Sequence, residues 1–152
     1  MGLRARISSE LKDAMKQKDA GRLSTLRLIS AAIKDRDIAL RGDGDDEGAG
    51  DDEILQILGK MVRQRTESAR AYEEGGRLEM AEQERAEISV IESFLPRQLD
   101  EAEVAEAIGR AVKTTGAESI RDMGKVMAEL KARYTGRMDF SKVGSMVKDR
   151  LG

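Results

Sequence analysis

FLPRQLDEAEV, residues 94–104, is the stretch on which the fold turns. Pro96 disfavours helical backbone at Leu95, and Asp100 followed three residues later by Glu103 has the spacing of an Asp-led capping box. One helix therefore ends near Phe94 and another begins after Asp100. Pro96 is the chain's single proline. Outward from it, apolar residues recur at three and four, with almost none of the alternation a strand requires. The pattern predicts an all-α protein: residues 1–95 as an N-terminal four-helix region of helical hairpins, and residues 96–152 as a small three-helix C-terminal domain, joined through the Pro-containing segment.

In the N-terminal part, Leu3, Ile7, Leu11 and Met15 form one stripe and Leu23, Leu26, Ile29, Ile33 and Leu40 a second, after a break at Ala20-Gly21. A short connection makes these an antiparallel hairpin. The stretch RGDGDDEGAGDDE, residues 41–53, alternates glycine with acid and reads as a flexible, solvated loop. At its end Asp51 is placed to cap the following helix, with Asp52 and Glu53 at the positive end of its dipole. That third helix carries Leu55, Leu58, Val62, Arg65, Ala69 and Tyr72 and stops at Gly75-Gly76; the fourth, Arg77 to Phe94, carries Leu78, Ala81, Arg85, Ile88 and Ile91. Arg65 and Arg85 interrupt apolar stripes and are expected to reach carboxylates across the helix interface, Glu92 or Glu84.

Beyond Pro96 the stripes are Val104, Ile108 and Val112; Met123, Val126, Met127, Leu130 and Tyr134; and Phe140, Val143, Val147 and Leu151. Met15, Met61, Met123, Met127, Met138 and Met146 are assigned to core packing, where the flexible thioether fills gaps.

The composition excludes much chemistry. With 0 His and 0 Cys among 152 residues, imidazole bases, thiol nucleophiles and the usual zinc sites are absent. With 37% charged residues, two Phe and two Tyr, little apolar material remains to line a catalytic pocket. The reading is a non-catalytic protein with no catalytic residue and no cofactor. Asp43, Asp45, Glu47, Gly48 and Asp51 take the first, third, fifth, sixth and ninth places of an EF-hand loop, but Ile54 stands where the closing bidentate Glu belongs. No metal site is expected there. No run of eighteen apolar residues exists and the first turns carry charges, so no membrane contact and a cytoplasmic location are expected.

Charge is divided along the chain. Residues 1–96 hold 16 basic and 20 acidic side chains, residues 97–152 hold 11 and 9, and residues 119–152 hold 8 and 4. Lys125, Lys131, Arg133, Arg137, Lys142, Lys148 and Arg150 spread over the last two helices and the TGRM turn. Such a surface can neutralise phosphates without reading sequence. By charge alone, an ordinary helix surface with cations near helix C-termini accounts for it equally well.

The segments Arg22-Leu23-Ser24-Thr25-Leu26-Arg27, Gln64-Arg65 with Ser68, Phe94 to Leu99, and Met123-Gly124-Lys125-Val126-Met127 followed by Gly136-Arg137 together resemble the bacterial YqeY (GatB/YqeY) family over nearly the whole chain. The resemblance implies a two-domain helical protein whose C-terminal module is similar to the tail of the B subunit of the tRNA-dependent amidotransferase, a part that contacts tRNA. The catalytic segments of that enzyme, a carbon–nitrogen ligase with glutamine as amido donor, have no counterpart here. By resemblance, Gly124-Lys125 opens the RNA-facing segment and Gly136-Arg137 marks its turn. The RNA-binding set so implied is Gly124, Lys125, Lys131, Arg133, Gly136, Arg137 and Lys142. The expectation is an adaptor associated with tRNA or other structured RNA; the alternative is a protein–protein interaction or assembly module, with an amidotransferase or synthetase as partner and no RNA affinity.

Overall fold

A computed structural model describes residues 2–152. Among them lie seven α-helices, one short 3-10 turn and no strand: α1 Leu3–Gln17, α2 Ala20–Gly42, α3 Asp51–Glu74, α4 Leu78–Glu92, α5 Glu101–Thr115, α6 Met123–Tyr134 and α7 Phe140–Leu151, with the 3-10 turn Ile120–Asp122 before α6. The chain falls into two compact units, Met1–Pro96 and Arg97–Gly152.

In the first unit α1 packs on α2 and α3 on α4, and α2 also meets α4. The core is Leu3, Ile7, Ala14, Leu26, Ile29, Ile33, Ile54, Leu58, Met61, Ile91 and Phe94, all buried. Burying each such side chain stabilises by about 1.5–3 kcal/mol, which is why stripes of this spacing organise the unit. The α1 stripe departs from expectation at its end: Ala14 is buried and Met15 is 53% exposed. Leu78, expected on the core face of α4, is 63% exposed at the start of that helix, where Ala81 is the first residue to reach the interior.

The α1–α2 break lies at Lys18-Asp19, two residues before the glycine that predicted it. Lys18 adopts a left-handed φ of 55°, and Asp19 caps α2 by accepting from the Arg22 amide at 3.2 Å. A side-chain cap thus overrode the glycine, which is instead accommodated inside α2.

The acidic loop is pinned at its distal end rather than solvated throughout. Arg4 of α1 donates to both carboxylate oxygens of Asp37 on α2 at 2.9 Å each, and to the Ala49 carbonyl at 2.9 Å. Asp37 also accepts from the Ala49 amide at 2.8 Å. The Arg4 guanidinium and that amide hold the Asp37 carboxyl down to about 2. Ala49 is consequently buried against the core. Asp51 does not cap its own helix: Gly50 takes that position, and Asp51 Oδ1 accepts from the Leu3 amide at 3.2 Å, so it satisfies a free donor at the start of α1 instead.

The two interrupting arginines find other carboxylates than those expected. Arg65 pairs with Glu87 on α4 at 3.0 Å with both side chains largely covered, and Arg85 pairs with Glu73 on α3. Position on the facing helix, which sequence alone does not supply, selected Glu87 and Glu73 over Glu92 and Glu84. At the end of α4, Arg6 lies 5.3 Å from the Phe94 ring centroid and donates to the Ser93 carbonyl at 2.9 Å.

The second unit has its own core of Val104, Ala107, Ile108, Ala111, Val126, Leu130, Met138, Val143 and Val147. Of the six methionines assigned to packing, Met61 and Met138 are buried and Met123 and Met127 lie partly buried against this core, whereas Met15 and Met146 are on the surface. The 94–99 segment is divided between cores: Phe94 and Leu95 pack in the first, Leu99 in the second.

Candidate functional site

The second unit carries the candidate residues, and its elements are set by local sequence. The capping box at the start of α5 forms as the spacing predicts: Asp100 accepts from the Glu103 amide at 2.8 Å and Glu103 from the Asp100 amide at 3.2 Å. Glu103 also receives both terminal nitrogens of Arg97 at 2.8 Å. The Arg97 guanidinium, with the Asp100 amide, depresses the Glu103 carboxyl to about 2. α5 ends at Gly116 in a left-handed conformation, φ 69°. Before α6, Asp122 accepts from the Glu118 amide at 3.0 Å; that bond leads the downward shift of its carboxyl.

Gly124 stands in the first turn of α6, is exposed, and an added Cβ there would meet nothing within 4 Å. Its surface is open to close approach from outside. Gly136, between α6 and α7, takes φ 80°, a conformation that side-chain-bearing residues adopt only with strain. The turn is clasped by residues 97–99, the segment that follows Pro96. The Leu99 amide donates to the Arg137 carbonyl at 2.8 Å, the Arg137 Nε donates to the Arg97 carbonyl at 3.1 Å, and the Gln98 side-chain amide donates to the Gly136 carbonyl. The Gly136-Arg137 turn therefore holds residues 97–99 in place.

The remaining candidates do not converge on one patch. Lys125, Lys131 and Lys142 are exposed, whereas Arg133 is engaged by Glu129 one turn earlier on α6. At about 100° of helix rotation per residue, Lys131 and Arg133 project about 160° apart around α6. Arg133 faces α5: with Glu129, Leu130 and Tyr134 it forms one side of a groove of about 260 Å³, whose other side is Ala107, Arg110, Ala111, Lys113 and Thr114. Arg110 and Lys113 were missed by the sequence reading because they precede the strongly basic 119–152 window; their spacing of three, which puts both on one side of α5, was the available signal. Arg110 is paired with Glu106.

In the first unit the Arg22–Arg27 segment also lines a cavity. Asp19, Arg22, Ser24 and Thr25 of the α2 start face Gln83 and Glu87 of α4 across about 360 Å³. Arg22 is tied to Glu10 at 2.7 Å and Thr25 donates to the Gly21 carbonyl at 3.2 Å. Among the described residues no group of three or more acids, His or Cys is placed to hold a metal ion, and no helix is long and apolar enough to cross a membrane.

The fold and these sites define a two-unit, all-helical protein whose C-terminal unit carries exposed cations, a clasped glycine turn and a cation-rimmed groove. The chain belongs to the YqeY family: the family model described as Yqey-like protein matches residues 4–151. It is similar to altered inheritance of mitochondria protein 41, mitochondrial, of Saccharomyces cerevisiae strain YJM789, with 25% identity over 129 residues, 82% of this chain and 68% of the relative. It is also similar to the proteins of that name from Meyerozyma guilliermondii, 37% identical over 89 residues, and Lachancea thermotolerans, 33% identical over 91 residues. Those matches span 59% and 60% of this chain and 44% and 46% of the relatives.

Proposed function

We propose that this protein is a non-catalytic, RNA-associated adaptor whose C-terminal unit provides the RNA-facing surface. The observation that carries the reading is the exposure of Lys125, Lys131 and Lys142 on α6 and α7. Mobile ammonium groups on several sides of a small helical module suit a phosphate backbone, which is contacted without sequence readout. The resemblance of this part of the chain to the amidotransferase B-subunit tail makes tRNA the first RNA to test. In this reading the N-terminal unit is scaffold or protein contact, and the site of action is the cytoplasm.

The test is fluorescence anisotropy of labelled bulk tRNA at low and at physiological salt, with Lys125→Glu/Lys131→Glu/Lys142→Glu alongside. Binding at low salt that weakens as salt rises and is strongly reduced in the triple variant supports the reading. If each phosphate contact contributes a salt slope of about 0.9, loss of three flattens log K against log salt by about 2.7. Absence of binding by the unaltered protein at low salt sinks it.

A second reading, a protein–protein module without RNA affinity, is favoured by one observation: two large apolar side chains, Leu78 and Met80, are both exposed at the start of α4. A single partner captured independently of salt and nuclease, and lost in Leu78→Ser/Met80→Ser, would select this reading over the first.

A further inference from the structure

We infer that the groove between α5 and α6 takes one unstacked nucleotide of an RNA loop or end, its phosphate held between Arg110, Lys113 and Arg133 and its base laid against Tyr134. The inference rests on the RNA-associated reading above and assigns to it residues that reading does not use. Three cations rim this groove against a single carboxylate in its lining, Glu129. Arg110 and Arg133 are each paired with an acid one turn earlier on the same helix, and both arginines are well exposed, at 69% and 65%. Exposed pairs of this kind are weak, and a phosphate offers a guanidinium the same two-pronged geometry as a carboxylate, so it can displace them.

Tyr134 supplies what the lysine surface lacks. It is half-buried, packed against the core of the unit, and also lines the groove. Proteins that hold single-stranded RNA combine a cationic track with an aromatic face on which a base stacks. The size of the groove argues against the obvious rival. An amphipathic helix from a protein partner needs a trough that accepts anchors at i, i+4 and i+7. The apolar lining here is confined to Ala107, Ala111, Leu130 and Tyr134 within about 260 Å³, and of these only Tyr134 is more than slightly exposed.

The experiment uses the full chain and a short, labelled, single-stranded oligoribonucleotide of mixed sequence, with an acidic peptide of matching charge as the competing probe. Arg110→Gln/Lys113→Gln is expected to weaken oligonucleotide binding on the order of tenfold; Tyr134→Phe is expected to bind as the unaltered protein does, and Tyr134→Leu to lose on the order of tenfold. Thermal unfolding checks that Tyr134→Leu is folded, and if it is not, the Arg110/Lys113 variant decides by itself. If tRNA binding is present and lost in the Lys125/Lys131/Lys142 variant while Arg110→Gln/Lys113→Gln binds the oligonucleotide normally, the groove assignment is overturned and the adaptor reading stands. No tRNA binding by the unaltered protein overturns both. Preference for the acidic peptide over the oligonucleotide overturns the groove assignment in favour of a peptide.

Discussion

Replacing Asp37 should release the end of the acidic loop and destabilise the N-terminal unit well beyond what a surface acid normally costs. Its carboxylate holds the Ala49 amide at 2.8 Å beside a buried residue and both terminal nitrogens of Arg4 at 2.9 Å. A hydrogen bond to a charged group contributes about 1.5–3 kcal/mol and a partly exposed ion pair about 1 kcal/mol, so Asp37→Ala should cost about 2–4 kcal/mol. Asp37→Asn keeps an oxygen for the Ala49 amide and should cost only about 1 kcal/mol. Urea unfolding followed by circular dichroism measures both. The pH dependence is a second, independent readout. The folded carboxyl sits at about 2 against an ordinary 3.8, so between those values the unfolded chain binds more protons and stability falls as pH falls. The unaltered protein should therefore lose stability from about pH 4 toward pH 2 more steeply than Asp37→Asn. An Asp37→Ala variant within about 0.5 kcal/mol of the parent, with an unchanged acid profile, would refute the pin.

Further outcomes follow from the same geometry. At Gly48, φ is 81° and an added Cβ would lie 2.6 Å from Asp37 Oδ1, so Gly48→Ala should lower the unfolding midpoint, with the effect reduced in an Asp37→Ala background. Gly136→Val, at φ 80°, should destabilise the C-terminal unit by about 1–3 kcal/mol in chemical denaturation, and Gly124→Ala should leave it unchanged or slightly raised. Leu130→Ala, at a fully buried position, should cost about 2–5 kcal/mol and loosen amide protection across α5–α7 in hydrogen exchange. Glu103→Gln should shift the acid unfolding of the C-terminal unit, because the Arg97 pair that holds this carboxyl near 2 is present above its ordinary value of 4.5 and lost as pH falls toward 2.

Much of the architecture was legible because helix formation is local. The period of apolar residues, the proline at 96 and the Asp100–Glu103 pair are short-range signals, and each maps onto an element or boundary within a few residues: α4 ends at Glu92, and α5 begins at Glu101 behind a complete capping box. Gly136 was also readable, since a glycine between two helical stripes marks a left-handed turn. The family membership was visible for a related reason, being carried by contiguous motifs.

What the sequence could not supply were pairings between residues far apart in the chain. Arg65 and Arg85 called for carboxylates, but Glu87 and Glu73 were chosen by how α3 lies on α4. Asp51 was read as a cap for its own helix and serves α1, 48 residues away in sequence, because tertiary packing brings the two helix starts together. Arg137 was read as projecting charge and also ties down residue 97, while Arg110 and Lys113 become neighbours of Arg133 only once α5 and α6 pack. Along one chain the 3.6-residue period determines which face of each helix is buried, since burial is proportional to apolar area and that area is written in order. Which charged group meets which depends on the rotation and register between helices, fixed by the packing of the whole core, and so only the tertiary structure decided it.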